Sequence, residues 1–268
     1  MSRDALNYPS DQRSFLDPYL PPVRTSTSSG KPHVTLTFAT SLDSSLSLAP
    51  GTQTALSGPQ SKAMTHYLRS VHDAILIGVG TAIADNPSLN CRLEGVGGYG
   101  REGLFGQPRP VVVDTEGRWD VRGRKVLDLA SKGRGRAPWI ITARTPGAEM
   151  VKVLEECGGS FIVLDRDEDG RINWQQIVDV LSEKGIGSVM IEGGGTVINT
   201  LLAGDNSHLV DSVIITIAPI WLGRGGVVVS PERAKGPACP VGRLNTTTWH
   251  QLGDDVVLGG FLNTRPES

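Results

Sequence analysis

Two glycine-bearing segments follow apolar runs in a pattern suited to holding an anion. The first is Val189-Met190-Ile191-Glu192-Gly193-Gly194-Gly195-Thr196-Val197-Ile198. An apolar strand ends in three glycines, and a helix then begins. Amides of a helix's first turn have no intrahelical acceptor, and the helix dipole adds partial positive charge there. Glycines let a ligand approach that backbone closely, which suits a phosphate or pyrophosphate. The same shape also serves as a tight strand-to-helix turn without a ligand. Glu192 favours a site, because ligand crevices of open α/β sheets lie at such strand ends.

The second segment is Gly78-Val79-Gly80-Thr81-Ala82-Ile83-Ala84-Asp85-Asn86-Pro87. Thr81 and Asp85 face one way if the stretch makes a helical turn. Asn86-Pro87 then stops that turn. The competing reading is a capped 3₁₀ turn with Asp85 bonded locally. Leu89-Asn90-Cys91-Arg92 presents a cation downstream, and Arg69 ends the preceding helix, where it also complements the helix dipole. Asp43 follows the first strand and is the other carboxylate placed to enter a crevice. His33, His66, His72, His208 and His250 show no metal-ligand spacing, so no metal is expected; His66 reads as a surface or packing residue.

Several chemistries are excluded by what is missing. No Lys precedes Ser or Thr, so there is no P-loop. There is no HExxH, no GxSxG, and no HxE with PCxxC pair. Gly78-Val79-Gly80-Thr81-Ala82-Ile83 lacks the last glycine of the dinucleotide fingerprint.

The elements that must position these residues alternate. Residues 34–39 are a β-branched strand, and Ser57-Gly58-Pro59-Gln60 reads as a capping box opening a helix to about His72. Residues 74–78 form a continuous apolar strand of the doubly buried kind. Further strands are expected at 110–114, 138–142, 160–164, 188–191, 213–219 and 256–262. Helices are expected at 148–156, at 174–184 and from Gly195. The fold class is therefore α/β with a mostly parallel central sheet, the last two strands pairing antiparallel at one edge. The segment 94–107, with six glycines in fourteen residues, reads as a flexible loop. Residues 115–136, rich in Arg, Lys and Gly, read as a solvated connection. Residues 1–30, with four prolines and a run of hydroxyls, read as a flexible N-terminal arm. One domain, 31–265, follows.

Composition is consistent with a small-molecule enzyme. The 268 residues carry a net charge of -2, which argues against a nucleic-acid partner. The longest apolar run, 213–222, is about half a membrane span. Cys91, Cys157 and Cys239 are too far apart for a CxxC knuckle and odd in number, so reduced thiols in the cytoplasm are expected.

Five stretches together resemble a known family. They are residues 34–43, Met64-Thr65-His66-Tyr67-Leu68-Arg69, residues 80–91, Pro108-Arg109-Pro110-Val111-Val112-Val113-Asp114 and Met190-Ile191-Glu192-Gly193-Gly194. The chain resembles the fungal reductases of riboflavin biosynthesis, related to the C-terminal reductase domain of the bacterial bifunctional deaminase-reductase. The resemblance implies a dihydrofolate-reductase-like fold with helices on both faces, NADPH, and a homodimer. It implies reduction of 2,5-diamino-6-ribosylamino-4(3H)-pyrimidinone 5′-phosphate to the ribitylamino form, with hydride added at C1′. By resemblance, Ala55, Thr81, Asp85, Thr115 and the stretch Gly194, Gly195, Thr196, Val197, Ile198, Asn199 and Thr200 hold NADPH. Gln53, Arg69, Leu89, Arg92 and Glu192 hold the substrate. Asp43 or a water supplies the proton. Where bacterial relatives place Lys in the first strand this chain has Thr37, and it has Ala55 where they carry Trp. Two other readings stay open: a pteridine or folate reductase on the same fold, and a non-catalytic nucleotide-binding module.

Overall fold

Alternate residues of the apolar strands face opposite ways, and that period of two decides where the helices sit. In the computed structural model, which describes residues 5–22, 30–233 and 241–263, the first half of the chain supplies β1 (His33–Thr40), β2 (Ser45–Ser47), α1 (Pro59–Val71), β3 (Ala74–Gly78), α2 (Val79–Asp85), β4 (Val96–Gly97), β5 (Gly100–Arg101), β6 (Arg109–Val113) and α3 (Lys125–Ser131). The second half supplies β7 (Trp139–Thr142), α4 (Ala148–Glu156), β8 (Ser160–Val163), α5 (Trp174–Glu183), β9 (Ser188–Ile191), α6 (Gly195–Leu202), β10 (Ser212–Ile217), β11 (Val227–Val228), β12 (Arg243–Leu252) and β13 (Asp255–Asn263). Cys239 and residues 25–29 lie outside the described residues.

Nine strands form one sheet in the order β12-β13-β10-β1-β9-β3-β6-β7-β8. All neighbours from β10 to β8 are parallel, and β13 and β12 close one edge antiparallel. Ala74, Leu76, Val189 and Ile191 pack against Ile177 and Leu181 of α5 and Ile198 and Leu201 of α6. Their neighbours Ile75 and Ile77 face the other way, toward Ala82 of α2, Val126 of α3 and Leu154 of α4, and Met190 packs with Met64 and Leu68 of α1. Both faces are thus covered by helices, which is why these strands read as unbroken apolar runs.

Five local expectations are corrected. The capping box at Ser57 does not form: Gly58 is the N-cap, with Pro59 at the first helical position. The Gly58 amide instead donates to Asp255 Oδ2 at 2.8 Å, tying α1 to the edge hairpin. Strand β12 was not foreseen because Arg243-Leu244-Asn245-Thr246-Thr247-Thr248 is polar and interrupted by a bulge. The segment 115–136 is more than a solvated connection, since Trp119, Val121, Val126 and Leu127 are buried and α3 forms within it. The glycine-rich loop is tightly folded: a Cβ on Gly97 would stand 2.4 Å from the Gly103 carbonyl oxygen. Gln107 fastens it by donating to the Cys91 and Gly97 carbonyls, each at 2.8 Å.

The fifth correction concerns the N-terminal arm. Residues 5–22 pack onto the domain, with Tyr8, Leu16 and Tyr19 all buried. Apolar anchors spaced among the prolines and polar residues hold it, and no helical or strand period advertises them.

A buried polar chain crosses the sheet beneath α1. His72 Nδ1 donates to the Leu68 carbonyl at 2.7 Å, so its Nε2 accepts from Thr35 Oγ1 at 2.9 Å. Burial lowers the His72 pKa from 6.5 to about 4. The unfolded chain therefore takes up this proton first. The stability contributed by neutral His72 is complete above the unfolded value and is lost as pH falls toward the folded one. That loss is on the order of 3 kcal/mol at pH 4. Urea unfolding of the wild type and His72→Asn at neutral and mildly acid pH checks this. The variant is expected to lose less stability on acidification, and equal losses would refute the assignment.

Candidate active site

The parallel strands β1, β9 and β3 end side by side, and a cleft of about 510 Å³ opens over the ends of β3 and β9. Its floor is the pair of glycine-bearing turns. A Cβ on Gly78 would stand 2.9 Å from Val197 Cγ2, so α6 sits close on the end of β3 and Val197 would have to shift for any larger residue. A Cβ on Gly194 would meet Thr81 Oγ1 at 3.2 Å, which puts the two turns in contact. Gly80 differs: a Cβ there meets nothing within 4 Å, although the residue lines the cleft. The empty side of Gly80 is room for a ligand.

The structure gathers Gln53, Thr81, Asp85, Gly194, Gly195, Thr196 and Val197 around this cleft. Gly194 caps α6 without a side-chain bond, leaving the first-turn amides to a ligand. Burial raises the Asp85 carboxyl above its ordinary pKa. Gln53, expected on the substrate, shares the cleft with expected cofactor residues, while the other residues expected to hold the cofactor are not in its lining. Ile198 is fully buried in the sheet core. Asn199 spans to the β11 segment, donating to the Val228 carbonyl at 2.9 Å and accepting from the Ser230 amide at 2.8 Å. The Thr200 carbonyl accepts from Asn206 Nδ2 at 3.3 Å. Ala55 is exposed outside the cleft lining, and Thr115 lies past β6, its carbonyl accepting from the Ala143 amide at 3.2 Å.

A second, ionic group adjoins the first. The Glu192 amide donates to the Leu76 carbonyl at 2.9 Å, extending β9 by one residue. Arg69, in the last turn of α1, grips its carboxylate with both forks, Nη2 to Oε2 at 2.8 Å and Nε to Oε1 at 3.3 Å. The pair is largely shielded, with side-chain exposures of 12% and 21%. Arg69 Nη1 donates onward to the Asn90 carbonyl at 3.2 Å. Arg92 is 9% exposed and lies against His66, whose Nδ1 accepts its backbone amide at 3.1 Å. Burial first, then the charges of Arg69 and Arg92, drive the His66 pKa down to about 2. Leu89 adopts φ 52° with its side chain buried in the core, so only its backbone could meet a ligand.

Asp43 does not fit the acid role. Its carboxylate accepts from Ser41 Oγ, from the Leu222 amide at 3.1 Å and from the Gly223 amide at 2.7 Å. The Ser41 bond, then the amides, hold its pKa below the usual carboxylate range. It anchors the turn after β1 to the loop after β10, and an ionised anchor has no proton to give.

Of the opposite wall of the cleft, sequence reasoning named Gln53 alone. Leu46, Ser47 and residues 50–54 face Val227 there, because β2 pairs with β11. The signal was the run Gly223-Arg224-Gly225-Gly226, since a Cβ on Gly226 would stand 2.0 Å from the Ser47 carbonyl oxygen. His66, read as a surface or packing residue, is a packing residue, buried against Arg92.

The family model of the RibD C-terminal domain matches residues 32–258 of this chain. The chain belongs to that family. Its relatives include the 2,5-diamino-6-ribosylamino-4(3H)-pyrimidinone 5′-phosphate reductase of Debaryomyces hansenii, 41% identical over 249 residues, 91% of this chain and 94% of the relative. The reductase of the same name from Saccharomyces cerevisiae is 37% identical over 250 residues, 92% and 94% of the two chains. The structure of S. cerevisiae riboflavin biosynthesis reductase Rib7 superposes with a TM-score of 0.75 at 34% identity, covering 95% of this chain and all of that one. Acinetobacter baumannii RibD shares the fold, with a TM-score of 0.71 at 23% identity over 89% of this chain and 60% of its own. This member of the RibD C-terminal domain family is an oxidoreductase. Among the described residues no helix is long and apolar enough to cross a membrane.

Proposed function

We propose that the chain reduces the ribosylamino side chain of 2,5-diamino-6-ribosylamino-4(3H)-pyrimidinone 5′-phosphate to the ribitylamino form, with NADPH as reductant. The observation that carries this reading is the junction of the two groups. The anion-holding cleft and the Arg69–Glu192 pair meet at consecutive residues, Glu192 and Gly193, on the end of one central strand. A dinucleotide and a small phosphorylated substrate can therefore meet over β9.

The cleft fits the cofactor. Gly80 leaves space for it, the first turn of α6 offers amides to its pyrophosphate, and Thr81 and Asp85 offer a hydroxyl and a carboxylate for its polar edges. When bound, the reduced nicotinamide supplies the hydride that C1′ accepts. The protein's part is to align the reacting carbons and exclude water, and it need provide no nucleophile. Glu192 orients the substrate's polar groups, and Arg69 holds Glu192 in place. Arg92 provides the guanidinium fork for the 5′-phosphate. A water supplies the remaining proton, since Asp43 is committed to its loop. The resemblance also supports a homodimer acting in the cytoplasm, with residues 31–265 as the reductase unit.

The deciding experiment follows NADPH oxidation with the authentic phosphate substrate. Substrate-dependent oxidation is expected, with NADPH preferred over NADH by at least about tenfold, or 1.4 kcal/mol. Binding of NADPH without turnover would instead identify a nucleotide-binding module. Faster turnover of a dihydropterin or dihydrofolate would identify the other reductase class.

A further inference from the structure

We infer that Leu6, in the N-terminal segment, and His66, on α1, form a two-sided clamp that sets the position of Arg92 and so makes residues 5–22 part of the substrate site. This rests on the reading of Arg92 as the phosphate partner.

Both backbone groups of Arg92 are held. Its amide donates to His66 Nδ1 at 3.1 Å, and its carbonyl accepts from the Leu6 amide at 2.8 Å. The Leu6 carbonyl in turn accepts from the Glu94 amide at 3.0 Å, so Leu6 bridges the far side of this strand-like stretch. Arg92 Nη2 also lies 3.4 Å from His66 Nε2, but that nitrogen carries the ring proton once Nδ1 accepts, so His66 holds Arg92 through its backbone amide. Only a neutral ring can accept at Nδ1, and burial together with Arg69 and Arg92 keeps His66 neutral.

The segment carrying Leu6 is itself anchored at three points. Tyr8 packs on Tyr67 of α1 with ring centroids 5.5 Å apart. The Arg13 guanidinium lies 4.8 Å from the centre of the Tyr67 ring, and its Nε donates to the Tyr8 carbonyl at 3.2 Å. Tyr19 is buried against β13 and its hydroxyl donates to the Thr246 carbonyl at 2.6 Å. Burying Tyr8, Leu16 and Tyr19 offsets the entropy of ordering the segment, so Leu6 reaches Arg92 from a fixed base. A backbone fixed on both sides sets where the Arg92 side chain starts, and that lowers the cost of placing its guanidinium on a phosphate.

The test compares the phosphate substrate with its dephosphorylated nucleoside. Leu6→Pro deletes the amide donor and keeps the carbonyl. It is expected to raise KM for the phosphate substrate by about fivefold to tenfold, leaving kcat and the nucleoside values in place. His66→Leu should shift the same ratio, and His66→Asn, which restores an acceptor, should recover it. In an Arg92→Ala background Leu6→Pro should change the ratio no further, because the contact it acts through is gone. If Arg92→Ala is selective for the phosphate form but Leu6→Pro and His66→Leu are not, the clamp is overturned and the Arg92 reading stands. If Arg92→Ala impairs both substrates equally, the Arg92 reading falls and the clamp falls with it. A poorly folding Leu6→Pro leaves the His66→Leu and His66→Asn comparison to decide.

Discussion

Gly80→Leu is expected to weaken NADPH binding by about a hundredfold, or roughly 2.7 kcal/mol, while the fold survives. The reason is geometric. A side chain at Gly80 meets no protein atom within 4 Å of its Cβ and projects into the cleft that the cofactor is proposed to fill. Gly80 lies within α2, where Leu is intrinsically better than Gly by roughly 0.8 kcal/mol, so the backbone does not object. Gly78→Leu is the instructive control. Its Cβ would drive into Val197, separating α6 from β3, so melting temperature and binding should fall together. Fluorescence titration with NADPH and a thermal melt distinguish the two. Unchanged affinity in Gly80→Leu would place the cofactor outside this cleft.

Glu192→Gln is expected to lower kcat/KM for the phosphate substrate by about tenfold to a hundredfold, with NADPH affinity held within a few-fold. Glutamine keeps the shape and one acceptor but discards the charge that Arg69 grips through two forks. A hydrogen bond to a charged group is worth about 1.5–3 kcal/mol, which spans that range of rate. The shielded Arg69 guanidinium would also be left without its counter-charge, so substrate groups that Glu192 orients would meet a displaced partner. Steady-state kinetics beside a cofactor titration separates the roles. Lost NADPH affinity with preserved turnover at saturating cofactor would move Glu192 into the cofactor shell.

The central sheet was legible because its signals are strong and local. β3 and β9 are buried on both faces, so their apolar runs stood out, and α5 carried its period in Trp174, Ile177, Val178 and Leu181. The glycine turns were legible for the same reason, since glycine has few uses after a buried strand. The expected cofactor stretch, 194–200, extends beyond the residues that line the cleft. Past Val197 the helix turns its face to the core, and sequence numbering does not show rotation: Ile198 goes inward and Asn199 reaches across to β11. What stayed hidden depends on contacts distant in sequence. Asp255 holds the start of α1 across 197 residues, and Tyr19 reaches Thr246 across 227. Asp43 had a suitable place at a strand end, but its donors come from the backbone of residues 222 and 223, which no side-chain pattern announces.

The adjacency of Glu192 and Gly193 has a metrical consequence. Here the spacing between the ionic group and the glycine-bearing turn is one trans peptide unit, about 3.8 Å of chain. The strand that bears it is pinned in register on both sides, Ile191 opposite Leu36 of β1 and opposite Leu76 of β3. On the proposed function, the gauge between reductant and substrate is therefore covalent, and the loops around the cleft can vary in length and composition without altering it.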